Sequence, residues 1–324
     1  MQSTTELKTL RKGIWRRWLL ASILVITLCL NGAGLFIGNI IYKEISVLHS
    51  HSNPRNLDKF KQVLKNGKKE HQWEDITITS RFGYPLSATY IPNPQATNRT
   101  LIFLHGFTES RLSGLNYMDI YLNEGFNLLL VDSRAHGDSG GLSVTWGNYE
   151  KYDLDQWLDW VNNRFPGGMT GIHGISMGAA TALMHAELNE VNKRVAFYIA
   201  DSSYSDFETL LALQMEQRLD SPGKLLTKLL LQYANVAAYF NSRFTFHQAS
   251  PVRAVRNITT PVLYIHGEAD KLVPASMSLD LYYATKGPRQ FYQFPQTGHV
   301  GAIFKDRQQY GSLVRKFVQS IDPL

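Results

Sequence analysis

The sequence predicts an α/β protein: a mostly parallel, doubly wound sheet carrying a helical insertion, preceded by one transmembrane helix. Three observations lead there. Short apolar runs at residues 100–104 (TLIFL), 127–131 (NLLLV), 169–173, 195–200 and 262–266 have the length and composition of strands buried on both faces. Helical patterns separate them; residues 149–165, for example, set Leu154, Trp157, Leu158 and Val161 at 3.6-residue spacing. Ahead of both lies a run, residues 18–42, with no Asp, Glu, Lys, Arg or His. About 20 apolar residues suffice to cross a bilayer, and this run has 25.

The 324 residues divide on this reading into an N-terminal segment (1–17), a membrane span (18–42), a polar connector (43–72) and a domain (73–324). The apolar share of 44% and charged share of 19% supply an ample core. Net charge is +6, but Lys8, Arg11, Lys12, Arg16, Arg17 and Lys43 against Glu6 account for most of it. A nucleic-acid binder needs its excess on a face of the folded domain, so this distribution argues against one. Arg16 and Arg17 directly before the span place the N-terminus in the cytoplasm and the domain outside, in a single-pass cell-membrane protein. A cleaved signal peptide is the competing reading, with residues 31–34 as the cleavage zone. Its apolar region would be shorter, however, and would not be followed by Ile37, Ile40 and Ile41. Cys29, the single cysteine, lies inside the span, so an intrachain disulfide is excluded. Asn53-Pro54 marks a turn in the polar connector.

The domain opens with a predicted hairpin, residues 75–79 and 86–91 around Phe82-Gly83-Tyr84-Pro85. Strands then alternate with helices, as a parallel sheet requires. Residues 179–189 form one such helix, and the last part adds a helix at 275–284, a strand at 289–294 and a helix at 306–321. Residues 202–250 break the rhythm. They carry two helical patches, 207–219 and 225–240, and no strand, which makes them an insertion between core strands. Their apolar faces either line a pocket as a cap or simply pack on the domain.

Chemistry enters at Gly174-Ile175-Ser176-Met177-Gly178, a G-x-S-x-G pattern between a predicted strand and a predicted helix. The glycines leave room for a tight strand-to-helix turn that projects Ser176 above the sheet as a nucleophile. The partners should follow in the order acid, then histidine. Asp270 lies just beyond the strand at 262–266, and His299 just beyond the strand at 289–294. Bland alternatives exist: Asp270 as a helix cap, His299 as a surface histidine, or Glu268 in place of Asp270. The oxyanion hole needs two backbone amides, assigned to Met177 and, after the strand at 100–104, to Phe107. His105 beside it reads as structural. The loop at 132–141 (DSRAHGDSGG) lacks the spacing of a metal or phosphate site and reads as support beneath the active site. No metal and no cofactor is called for.

The series LHGF, DSRAHGDSGG, HGISMG, HGEADKLVP and GH, in that order, resembles the α/β-hydrolase superfamily. It is most similar to the serine-aminopeptidase-like and monoacylglycerol-lipase-like branch, and to membrane-anchored or exported hydrolases of Gram-positive bacteria. The likeness runs from Trp73 to the C-terminus. It implies a catalytic triad of Ser176, Asp270 and His299 and oxyanion amides at Phe107 and Met177. One departure is Arg134-Ala135-His136, where many relatives have Arg-Gly-His. The expected activity is hydrolysis of small acyl or aromatic esters through an acyl-enzyme. An amidase or peptidase with the same triad and a membrane-tethered binding protein on a hydrolase scaffold are the alternatives. The expected partners are a small-molecule ester or amide and, through the N-terminal helix, the membrane; no nucleic acid is expected, and no oligomeric state is specified.

Overall fold

The computed structural model describes residues 2–48, 57–218 and 223–322. Helix α1 (Gln2–Ser46) is followed by α2 (Leu57–Glu70), and then by the hairpin β1 (Glu74–Thr79) and β2 (Pro85–Ile91). Strand β3 (Thr100–Leu104) leads through a 3-10 turn (Arg111–Asn116) and α3 (Met118–Asn123) to β4 (Asn127–Val131). Next come α4 (Glu150–Arg164), β5 (Thr170–Ile175), α5 (Met177–Asn192) and β6 (Phe197–Asp201). The insertion holds α6 (Phe207–Arg218) and α7 (Lys224–Ser242), with the short α8 (Pro251–Ala254) after it. The chain closes with β7 (Val262–Gly267), α9 (Ala275–Ala284), β8 (Arg289–Phe294), α10 (Ala302–Lys305) and α11 (Arg307–Gln319).

The eight strands form one sheet in the order β1-β2-β4-β3-β5-β6-β7-β8. β1 and β2 pair antiparallel, β2 meets β4 antiparallel, and every pairing from β4 to β8 is parallel. Strand alternation sends successive side chains to opposite faces, so one five-residue strand serves two cores. Ile102 and Leu104 of β3 join Trp157, Leu183 and Leu281 on one side, and Leu101 and Phe103 join Tyr121, Val314 and Phe317 on the other. A third cluster lies outside the sheet, where Tyr42 of α1 meets Leu210 and Leu211 of α6 and Leu231 and Ala234 of α7. Parallel strands all point one way, so the loops after β3, β5, β7 and β8 emerge on one edge.

The region expected to be a polar connector differs from that expectation. α1 continues unbroken through Ser46, and α2 is a helix. Phe60, Val63 and Leu64 of α2 pack on the core, while Gly67 lies against Trp73. Positions 60, 63, 64 and 67 share one helical face, a period masked in the sequence by the lysines between them. The expected turn at Asn53-Pro54 lies outside the described residues. So does Leu219, the last residue of a predicted helical patch.

Candidate active site

Ser176 sits between β5 and α5 with φ 52° and ψ −118°, a conformation costly for a residue with a Cβ. Its amide is held by the carbonyl of Asp201 at 2.8 Å. The flanking glycines are required by contact. A Cβ on Gly174 would lie 2.2 Å from the carbonyl oxygen of Gly178, and one on Gly178 would lie 2.3 Å from that of Leu104.

The loops after β5, β7 and β8 bring three side chains into one line. His299 Nε2 lies 2.8 Å from Ser176 Oγ, and His299 Nδ1 lies 2.7 Å from Asp270 Oδ2. With Nδ1–H donating to the carboxylate, Nε2 is left as the acceptor for the serine hydroxyl. Asp270 is fixed in turn: its Oδ1 accepts the amides of Leu272 and Val273, both at 2.9 Å. Burial opposes its charge, yet hydrogen bonds from His266, His299 and the Val273 amide hold the carboxyl well below the usual carboxylate range. It therefore stays an anion able to orient and stabilise a protonated His299. Glu268, the alternative acid, is directed elsewhere and accepts the exposed amide of Gln296 at 3.1 Å.

On the opposite wall, the loop after β3 approaches the serine closely, since a Cβ on Gly106 would stand 3.4 Å from Ser176 Cβ. Phe107 belongs to this loop and lines the cavity. Met177 opens α5, where the first amides have no intrahelical acceptor and the helix dipole favours a negative charge. His105 is fully buried; its Nδ1 donates to the Gly106 carbonyl at 2.7 Å, and its Nε2 accepts the Ser133 amide at 3.0 Å. Burial pushes its pKa down to about 4, so it is a neutral brace for the loop.

Residues 132–141 are locked into the fold. Asp132 pairs with Arg111 and accepts the amides of Arg111 (2.7 Å) and Asp138 (2.9 Å), while Arg111 also reaches Asp138 at 2.6 Å. Among the described residues no three His, Cys, Asp or Glu side chains are grouped to hold a metal ion. Ala135, at the family's glycine position, has φ 59°.

Five participants escaped the sequence reading. His266, at the end of β7, places Nε2 3.1 Å from Asp270 Oδ2, with Nδ1 2.7 Å from Ser278 Oγ. Ser202 accepts the Val300 amide at 3.2 Å and donates to Asp201 at 2.8 Å, tying the His299 loop to β6. Glu109 lines the cavity with its carboxyl pKa raised by burial. Glu44 and Ile45 of α1 line the same cavity from a part of the chain more than 130 residues away from Ser176. Only His266 had a local signal, as the first residue of HGEAD.

The cavity in front of Ser176 has a volume of ≈ 410 Å³. Phe107, Trp146, Tyr204, Phe207, Leu210 and Leu211 give it an apolar lining, and Ser176, His299 and Glu109 place polar groups within it. Trp146 is the hub: its ring stacks on Phe207 of α6 at 4.2 Å and lies 4.8 Å from Phe107. One face of the insertion thus lines the cavity.

Comparison with known proteins agrees with this architecture. Residues 99–225 match the alpha/beta hydrolase fold family. The uncharacterized protein YqkD of Bacillus subtilis is 30% identical over 305 residues, spanning 94% of this chain and 95% of the relative. Among solved structures, the esterase Pf2001 of Pyrococcus furiosus superposes with a TM-score of 0.62 at 25% identity, covering 79% of this chain and 95% of that one. The chain belongs to the α/β-hydrolase superfamily. It is a hydrolase, with esterases among its structural neighbours.

Proposed function

We propose that the protein is a serine hydrolase cleaving carboxylic esters through an acyl-enzyme. The observation that carries this reading is the hydrogen-bonded line from Ser176 through His299 to Asp270, at 2.8 and 2.7 Å, on a strained turn. In the first half-reaction His299 Nε2 takes the hydroxyl proton as Ser176 Oγ attacks the ester carbonyl. The amides of Phe107 and Met177 stabilise the resulting oxyanion. Collapse expels the alkoxide, which leaves as the alcohol with the proton from His299. Water then repeats the sequence on the acyl-enzyme and frees Ser176. Ester preference draws support from the likeness to the Pf2001 esterase and from a largely apolar cavity suited to an acyl group.

A membrane placement draws support from α1. Its stretch Ile14–Ser46 is long and apolar enough to cross a bilayer, and residues 14–33 of it are exposed. Arg16 and Arg17 at its start favour a cytoplasmic N-terminus and an extracytoplasmic domain. Protease added to intact cells should then digest the domain, and protection of the domain would refute the orientation. For the chemistry, the full chain should be labelled by a fluorophosphonate and should hydrolyse p-nitrophenyl esters. Ser176→Ala should lose both, with kcat down by at least about 10³-fold. A wild-type protein that is folded yet inert to the probe would sink the assignment.

A further inference from the structure

The last turn of α1 is built into the domain that follows it. The final carbonyls of a helix have no intrahelical donor and must find one elsewhere. Here a single loop supplies two: Trp146 Nε1 donates to the Ile45 carbonyl at 3.1 Å, and the Val144 amide donates to that of Ser46 at 2.8 Å. Ser143 of the same loop lies 2.7 Å from the hydroxyl of Ser242, the last residue of α7, and Tyr42 of α1 meets that hydroxyl too. Tyr42 and Ser46 are both buried.

Trp146 in turn is held against its own preference. Its φ of 54° is costly for a bulky side chain and persists only where the surroundings enforce it. The Tyr204 hydroxyl donates to its carbonyl at 2.7 Å, and its ring stacks on Phe207. Ile45, bonded through its carbonyl to that ring, packs on the same apolar cluster as Trp146 and lines the cavity in front of Ser176. A residue that precedes the sheet by a whole helix therefore has a fixed place in the wall.

The side of the cavity on which it stands follows from the direction of proton transfer. His299 Nε2 must hand its proton to the departing alcohol, so the alcohol occupies the His299 side. Phe107 belongs to the facing loop, and Trp146 lies 4.8 Å from it. The acyl chain left on Ser176 then runs along Phe107 and Trp146 toward Ile45.

We propose that Ile45 is a specificity-determining residue: the last turn of α1 closes the acyl side of the cavity and limits the length of chain that Ser176 accepts. This rests on the ester-hydrolase reading above, which fluorophosphonate labelling of Ser176 tests separately.

The test compares kcat/KM for p-nitrophenyl octanoate and p-nitrophenyl butyrate on the full chain in detergent micelles. Partition into the micelle is common to all variants and cancels when each octanoate-to-butyrate ratio is divided by that of the wild type. Ile45→Trp should lower the ratio at least about ten-fold. Ile45→Ala should raise it about four-fold, the effect of roughly one more buried methylene. Ile40→Trp, on the outward side of the same helix at 52% exposure, should leave it within about two-fold. A ratio that neither Ile45 variant moves overturns the proposal, as does an equal fall on both esters or an equal shift from Ile40→Trp. If circular dichroism shows Ile45→Trp unfolded, Ile45→Ala decides alone. A folded wild type that does not react with the fluorophosphonate refutes the hydrolase reading instead.

Discussion

Two carboxylates separated by one residue, Glu268 and Asp270, follow β7, and chain order alone did not choose between them. The choice is made by the turn: the amides of Leu272 and Val273 and the ring of His266 gather on Asp270, while Glu268 points to Gln296. Asp270→Asn should therefore lower kcat by about 10²–10⁴-fold, because the amide leaves His299 in the wrong tautomer or orientation. Glu268→Gln should stay within about two-fold; initial rates on a p-nitrophenyl ester check both. A second residue-level consequence concerns Ala135, held at φ 59° where a glycine would be unstrained. Ala135→Gly should raise stability by about 0.5–1 kcal/mol, read as a shift in the urea midpoint at unchanged slope.

At the scale of elements, the strands and the helices that face the sheet were legible because each carries its own period. Residues 275–284 and 289–294 could be read from composition alone, and α9 and β8 occupy those bounds. What was not legible depends on contacts across the chain. α2 shows its apolar face only once Trp73 and the core stand beside it, and the short turns around Arg111–Asn116 and Met118–Asn123 are too brief to carry a period. The largest omission is the junction where Trp146 touches Phe107, Phe207 and Ile45, which joins the loop after β3, α6 and α1. Trp146→Ala should cost about 2–4 kcal/mol in denaturant unfolding. It should also raise KM for bulky acyl esters more than it lowers kcat, since it removes a wall and leaves the hydrogen-bonded line from Ser176 intact. A variant whose kcat alone collapsed would place Trp146 in the chemistry instead.

For the whole molecule, buried histidines set the response to acid. Burial lowers His105 to about 4 and His136 and His173 to about 3, against about 6.5 in an unfolded chain. Between these values the unfolded chain binds protons that the folded one refuses, so stability falls as pH falls. The loss from pH 7 to pH 5 should be on the order of 1–2 kcal/mol per histidine. Asp270, depressed in the fold, adds to the same trend only below about pH 4. Melting curves at pH 7, 6 and 5 test this; a Tm that held steady would contradict it. Burial keeps His173 neutral, and the hydroxyls of Tyr121 and Tyr310 lie 2.8 and 3.1 Å from its two ring nitrogens beneath the Ser176 turn.

The wall at Ile45 also bears on how the protein comes into being. During synthesis α1 leaves the ribosome well before its partners at Tyr233 and Ser242, which emerge about two hundred residues later. The cavity cannot close until these earlier and later parts of the chain meet. A chain whose first helix is mislaid, or clipped off, keeps Ser176, His299 and Asp270 but lacks one side of the chamber in front of Ser176. On the proposed membrane placement, insertion of α1 and completion of the chamber become a single event, and a domain released from its helix would have a different cavity from the one left attached.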